Sequence, residues 1–258
     1  PVQKLTPPQA YKIPKDVTVH HDTRIDDYYW LKERDTQPVL DYLKAENDYT
    51  FAKMKHTELL QKTLYNEMRG RIKEDDTTVP YKFGNYMYYT RTEENLQYDI
   101  YCRKLGNSSD NEEITLNMNE MAKKHDYIDL SAYKISPNEK LLALTIDTSG
   151  AELHKLIVKD IKTGEILDDH LSNLDGSVEW ANDNKTLFYT VLDKAHRSYQ
   201  LWRHELGNKQ SDDVLVFQED DDRFSVGLHR TKSGEFLKMD LESQITTEVY
   251  LLDRNHPL

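Results

Sequence analysis

The sequence predicts a mainly β fold, an incomplete β-propeller of small stacked sheets, preceded by an extended arm and a helical segment. Three observations predict it. Hydrophobic periodicity changes from helical spacing to alternation near Gly70. Short apolar runs then recur at near-constant intervals with turn residues between them. The composition, 37% hydrophobic and 31% charged in 258 residues, suits many thin, half-exposed sheets better than one thick core.

Residues 1–36 read as an extended arm, because Pro7, Pro8 and Pro14 all oppose helix. The arm carries the dense string from His20 to Leu31. Asp35 or Thr36 can cap the helical segment that follows, and Pro38 falls in its first turn, where the missing N–H costs nothing. Leu40 and Leu43, then Leu60, Leu64 and Met68, recur at helical spacing and predict an amphipathic pair of helices ending at Gly70. These observations divide the chain into an N-terminal segment, 1–76, and a β-rich segment, 77–258.

Beyond Gly70 the runs Tyr86–Tyr89, Leu141–Leu144, Leu187–Tyr189 and Val249–Leu251 read as strands. The turns that precede them align on Gly84, Asn138, Asp183 and Ser233, with steps of 54, 45 and 50 residues. A second repeated element, a strand closed by a polar turn, comprises Tyr101–Gly106, Ile157–Glu165 and Leu201–Gly207. Such a unit is a four-stranded antiparallel blade with Gly, Asn, Asp and Ser in its hairpin turns. One blade cannot bury both of its faces, so blades must stack around an axis. About four fit between 77 and 258. Closed propellers commonly need more, so the array is expected to be incomplete.

Net charge is −12, which repels phosphate backbones and argues against nucleic acid as a partner. No apolar run approaches the ~20 residues of a membrane helix, so no membrane partner is expected. No signal peptide is read, so a cytoplasmic location is the expectation; the chain begins at Pro1 rather than Met, which leaves a periplasmic one open. Cys102, the single cysteine, excludes an internal disulfide and reads as a buried structural thiol. No cofactor or metal set is read. His20, His21 and Asp22 invite a metal, but neighbours in an extended arm point to opposite sides. Asp193, His196 and Ser198 lie together in what reads as an inter-strand loop, and catalytic triads are assembled by folds rather than by adjacency. The acidic runs Glu74–Asp76 and Glu219–Asp222 read as solvated loop charge.

The segment His21–Leu31 followed by Val39–Tyr49 resembles the N-terminal signature of the prolyl oligopeptidase family. Arg91–Glu94 leading into Tyr98–Arg103, Val178–Tyr189, Tyr199–His204 and Glu248–Asp253 resemble its oligopeptidase B branch. The resemblance implies a serine peptidase with a seven-bladed propeller covering an α/β-hydrolase domain that follows it in the chain. It implies oligopeptide substrates cut after Arg or Lys. The N-terminal arm and helices would pack on that hydrolase domain. Tyr28, Tyr29 and Trp30 would be interface residues, since exposed together they would leave a sizeable apolar patch. Arg71 and Asp126 would belong to an interdomain charge network. No two of the nine glycines are four positions apart, so the Gly-x-Ser-x-Gly of a nucleophile elbow is not found in these 258 residues. The expectation is the front portion of such a peptidase, with the hydrolase domain and its Ser, Asp and His missing and no catalytic residue of its own. The chain alone is then expected to be inactive. The alternatives are a non-catalytic propeller-like module binding peptide or protein and, without a supporting motif, a distinct hydrolase.

Overall fold

The computed structural model describes residues 5–106 and 111–257, and the chain divides into two compact units, Pro1–Lys73 and Glu74–Leu258.

In the first unit the arm is not wholly extended. Strands β1 (Lys15–Val19) and β2 (Asp22–Asp26) form an antiparallel hairpin in which Val19 pairs with Asp22. His20 and His21 are its two-residue turn, with φ of 53° and 65°. Both central residues of such a turn need positive φ, which Asn-Gly normally supplies. His tolerates that region only at a cost, so the pair carries no obvious turn signal. After a 3-10 turn at Tyr29–Lys32 come α1 (Gln37–Met54) and α2 (Glu58–Arg69). Thr36 is the N-cap of α1 and Pro38 lies in the first turn; Gly70 caps α2. Leu40, Leu43, Leu60, Leu64 and Met68 are all exposed, and Val39 alone is buried on these two helices.

The second unit is built of antiparallel sheets. The first contains β3 (Tyr81–Phe83), β4 (Tyr86–Arg91), β5 (Ile100–Leu105) and β6 (Glu112–Asn117), followed by the short helix α3 (Met118–Ala122). A seven-stranded sheet runs from β7 (Asp129–Ile135) through β8 (Leu141–Asp147) and β9 (His154–Asp160) to β10 (Leu171–Trp180). It continues with β11 (Thr186–Leu192), β12 (Ser198–Glu205) and β13 (Val214–Gln218). The last sheet holds β14 (Ser225–Arg230), β15 (Phe236–Glu242) and β16 (Thr247–Asp253).

The seven-stranded sheet is two blades sharing one long strand. The first half of β10 closes the second blade on β9, where Leu171 pairs with Leu156. Its second half opens the third blade on β11, where Trp180 pairs with Leu187. The register shifts between Leu174 and Val178, and Gly176 lies in that interval at φ +109°. Four blades result, the last with three strands among the described residues.

The core lies between blades. One cluster joins Tyr88 and Leu116 of the first blade to Leu142, Leu144 and Ile146 of the second. A second joins Ala143, Leu156 and Val158 to Val178, Trp180, Leu187 and Tyr189 of the third. A third joins Phe188 and Leu201 to Val226, Leu237, Met239 and Leu241 of the fourth. Strands β8 and β11 thus send alternate side chains into opposite clusters, as period-2 patterning buried on both faces requires.

Candidate functional site

The turns aligned by the sequence repeat meet in space. Each joins the first strand of a blade to its second, and the first three are hydrogen-bonded to the next blade. Asn85 N and Nδ2 donate to the Glu139 carboxylate, each at 2.9 Å. Asn138 N donates to Asn184 Oδ1 at 2.7 Å. Asn182 N donates to the Arg254 carbonyl at 2.8 Å, and its side chain donates to Asn255 Oδ1 at 2.9 Å. Arg103, buried under Tyr86, reinforces the first link by donating to the Glu139 carbonyl at 2.6 Å.

These links hold the first strands of all four blades around one recess of about 70 Å³. Tyr81 and Phe83 come from β3, Tyr133, Lys134 and Ile135 from β7, Glu179 and Trp180 from β10, and Arg230 from β14; Arg254 follows β16. Tyr81, Ile135, Trp180 and Arg230 each stand three residues before an aligned turn residue, so the repeat itself delivers them to one level.

The charges of the recess are unevenly matched. Lys134 Nζ lies 2.5 Å from Glu179 Oε1, and this carboxylate is buried. Trp180 Nε1 donates to the Lys134 carbonyl at 2.9 Å, fixing the indole in the wall. Arg254 is 3% exposed; its Nε donates to the Trp180 carbonyl at 2.8 Å and its Nη1 to the Gly234 carbonyl at 2.6 Å. Burial, then the neighbouring Arg230 charge, pulls the Arg254 pKa down from its ordinary value. Arg230 stacks its guanidinium over the Phe83 ring at 5.0 Å. The lining combines aromatic side chains with Lys134, Glu179, Arg230 and Arg254, groups that can bind anionic or polar ligands.

The family described as prolyl oligopeptidase, N-terminal beta-propeller domain, matches residues 8–258. The chain belongs to the prolyl oligopeptidase family. Protease 2 of Moraxella lacunata is 35% identical, over 97% of this chain and 37% of that protein. Dipeptidyl aminopeptidase BI of Pseudoxanthomonas mexicana is 33% identical, over 95% of this chain and 36% of that protein. Oligopeptidase B from Leishmania major superposes with a TM-score of 0.91 at 29% identity, over 98% of this chain and 38% of that one. The chain therefore spans little more than a third of the length of these relatives.

The family's propeller architecture is the one that the repeat anticipates. Trp30 stacks on Tyr11 with centroids 4.3 Å apart and donates from Nε1 to the Tyr11 carbonyl at 3.0 Å. Tyr29 lies between two ammonium groups, Lys15 and Lys32, at 3.9 and 4.0 Å from its ring. Tyr28 is exposed, with its N–H donating to Asp26 Oδ1 at 2.8 Å. Arg71 pairs with Glu67 one helical turn earlier, and Asp126 is exposed in the segment leading to β7. Arg71 falls in the first unit and Asp126 in the second.

Asp193, His196 and Ser198 lie in the β11–β12 connection and its edge. Asp193 is occupied as a turn acceptor, taking the Ala195 and Arg197 N–H groups at 2.8 and 3.0 Å and the Arg197 guanidinium at 2.9 Å. The Glu219–Asp222 run does more than carry solvated charge. Its backbone curls around Arg197, which donates to the Asp221 and Phe224 carbonyls at 3.0 and 2.7 Å. The recess escapes a reading by motif because it has none. Its signal is a constant offset from the repeated turn.

Proposed function

We propose that the chain is the N-terminal and propeller portion of a serine oligopeptidase of the oligopeptidase B kind. In this reading the full enzyme cleaves short peptides after Arg or Lys, its propeller excludes folded proteins, and the chain of 258 residues alone is inactive. The observation that carries the reading is agreement over one stretch of two kinds of likeness. The chain is 35% identical to a protease over nearly its whole length and superposes on an oligopeptidase B at a TM-score of 0.91. The Ser, Asp and His of catalysis would come from residues beyond Leu258. The exposed stripe of Leu40, Leu43, Leu60, Leu64 and Met68, with Tyr28, Tyr29 and Trp30, would pack on that hydrolase domain. Arg71 and Asp126 would serve an interdomain charge network. No described helix is long and apolar enough to cross a membrane. A cytoplasmic location, with a periplasmic one left open, belongs to this reading.

A second reading concerns substrate choice, since a dipeptidyl aminopeptidase is nearly as similar at 33% identity. Such an enzyme would release dipeptides from free N-termini instead of cutting after internal basic residues. The test compares this chain with a longer one that continues past Leu258. Both are assayed on N-blocked fluorogenic peptides ending in Arg or Lys, on unblocked dipeptide substrates, and with a serine-reactive fluorophosphonate. The expected result is turnover of the blocked basic peptides and labelling for the longer chain alone. Labelling or turnover by these 258 residues would refute the claim of inactivity. Cleavage of unblocked dipeptides only would favour the second reading.

A further inference from the structure

We propose that the recess between the inner strands binds an oxyanion, the terminal carboxylate of a peptide, held by Arg230 and Arg254. Three cations face it against one carboxylate, in a chain whose net charge is −12. Lys134 and Glu179 pair at 2.5 Å, so the two arginines leave the recess with a net positive charge. Arg254 is nearly wholly buried, and its Nε and Nη1 are spent on the Trp180 and Gly234 carbonyls. Its Nη2 has no protein hydrogen-bond partner among the described residues and is not enclosed, so this donor is open to solvent. Arg230 forms no ion pair among the described residues; its guanidinium lies over the face of Phe83. Two planar guanidinium groups in one recess suit a planar, bidentate acceptor such as a carboxylate.

A recess of about 70 Å³ has room for a few water molecules, and so for a carboxylate group. The terminal group enters between Tyr81, Tyr133 and Trp180 of the lining. The choice of a peptide rests on the peptidase reading above, whereas the oxyanion site does not. Free phosphate shares the chemistry and is the other source.

The indole N–H of Trp180 stands in the wall and reports occupancy directly. A ¹⁵N-labelled sample of the chain is titrated with a tripeptide acid, with the same tripeptide as its C-terminal amide, and with inorganic phosphate. The acid is expected to shift the Trp180 indole signal saturably, and the amide to bind at least about tenfold more weakly. Arg230→Gln is expected to weaken the acid about tenfold with an unchanged melting temperature, and Arg230→Lys to restore part of the loss. Equal affinity for acid and amide, or an acid affinity indifferent to Arg230→Gln, would overturn the site. Phosphate binding more tightly than the acid would uphold the site and overturn the peptide as its occupant. Binding requires no turnover, so a longer chain that cleaves nothing would count against the peptidase reading without touching this result.

Discussion

Cys102 sits in the middle of β5 with its side chain wholly enclosed and its Sγ 3.7 Å from the Ile100 carbonyl. Burial pushes the thiol pKa up to about 11, so almost no thiolate exists near neutrality. The native chain at pH 8 is therefore expected to resist a disulfide-exchange reagent such as DTNB, with one thiol appearing after denaturation. Rapid native labelling would contradict this. The residue was readable from sequence because a lone cysteine in an alternating strand has few roles. Gly176 was not, since its role depends on a strand that changes partners. A Cβ there would lie 2.3 Å from Ser131 Oγ and 3.2 Å from His154 Cε1, at a φ of +109°. Gly176→Ala is expected to cost about 2–4 kcal/mol, from backbone strain and overpacking together. The urea midpoint measures it, and a change below about 0.5 kcal/mol, the range of an ordinary surface substitution, would show that the crossover can shift to make room.

At the scale of elements, strands and turns followed from alternation and turn chemistry, while side-chain clamps between distant segments did not. His204 on β12 is the clearest case. Its Nδ1 lies 2.6 Å from Asp213 Oδ1 and its Nε2 3.2 Å from Asp169 Oδ1, all three being buried. Tyr189 on β11 also donates to Asp213, at 2.8 Å, and the Gly207 N–H donates to Asp169 at 2.5 Å. A neutral imidazole has one N–H, so two carboxylate partners require the charged ring. Burial alone would lower the His204 pKa. The hydrogen bond and charge of Asp213, then those of Asp169, outweigh it and raise the pKa above the ordinary value. A group with a raised folded pKa contributes fully below its unfolded value of about 6.5, and the contribution is lost as pH rises through the folded value. His204→Gln is thus expected to be less stable than the parent at pH 6, with the gap in urea midpoint narrowing on the alkaline side. A gap that widens with pH would mean that the ring is neutral in the fold. Asp169 lies 35 residues before His204, and nothing in the local pattern announces the pairing. The hairpin at His20–His21 was hidden for another reason, its turn being made without Asn or Gly.

For the whole second unit, the sequence repeat anticipated successive blades stacked around an axis, because one local pattern recurring at 45–54 residues is a geometric instruction. It did not give the fusion of two blades through β10, which depends on one strand continuing across a bulge. The resulting array is nearly one-dimensional: each blade is stabilised by its neighbours, and cohesion is the sum of the clusters between them. Strands β8 and β11 have apolar partners on both faces. The fourth blade has one such face, filled by Leu237, Met239 and Leu241, while Val249 and Leu251 of β16 remain 53% and 62% exposed. Local opening takes the free energy of the contacts it breaks, so a singly covered blade opens more readily than a doubly covered one. Hydrogen exchange read by mass spectrometry is expected to release the amides of β14–β16 well before those of β8 and β11. Uniform protection across the four blades would mean that the links at Asn182 and Arg254 couple the last blade into one cooperative unit. In a longer chain whose following residues cover Val249 and Leu251, protection of β15 and β16 should rise toward that of β11, because the missing neighbour term is then supplied.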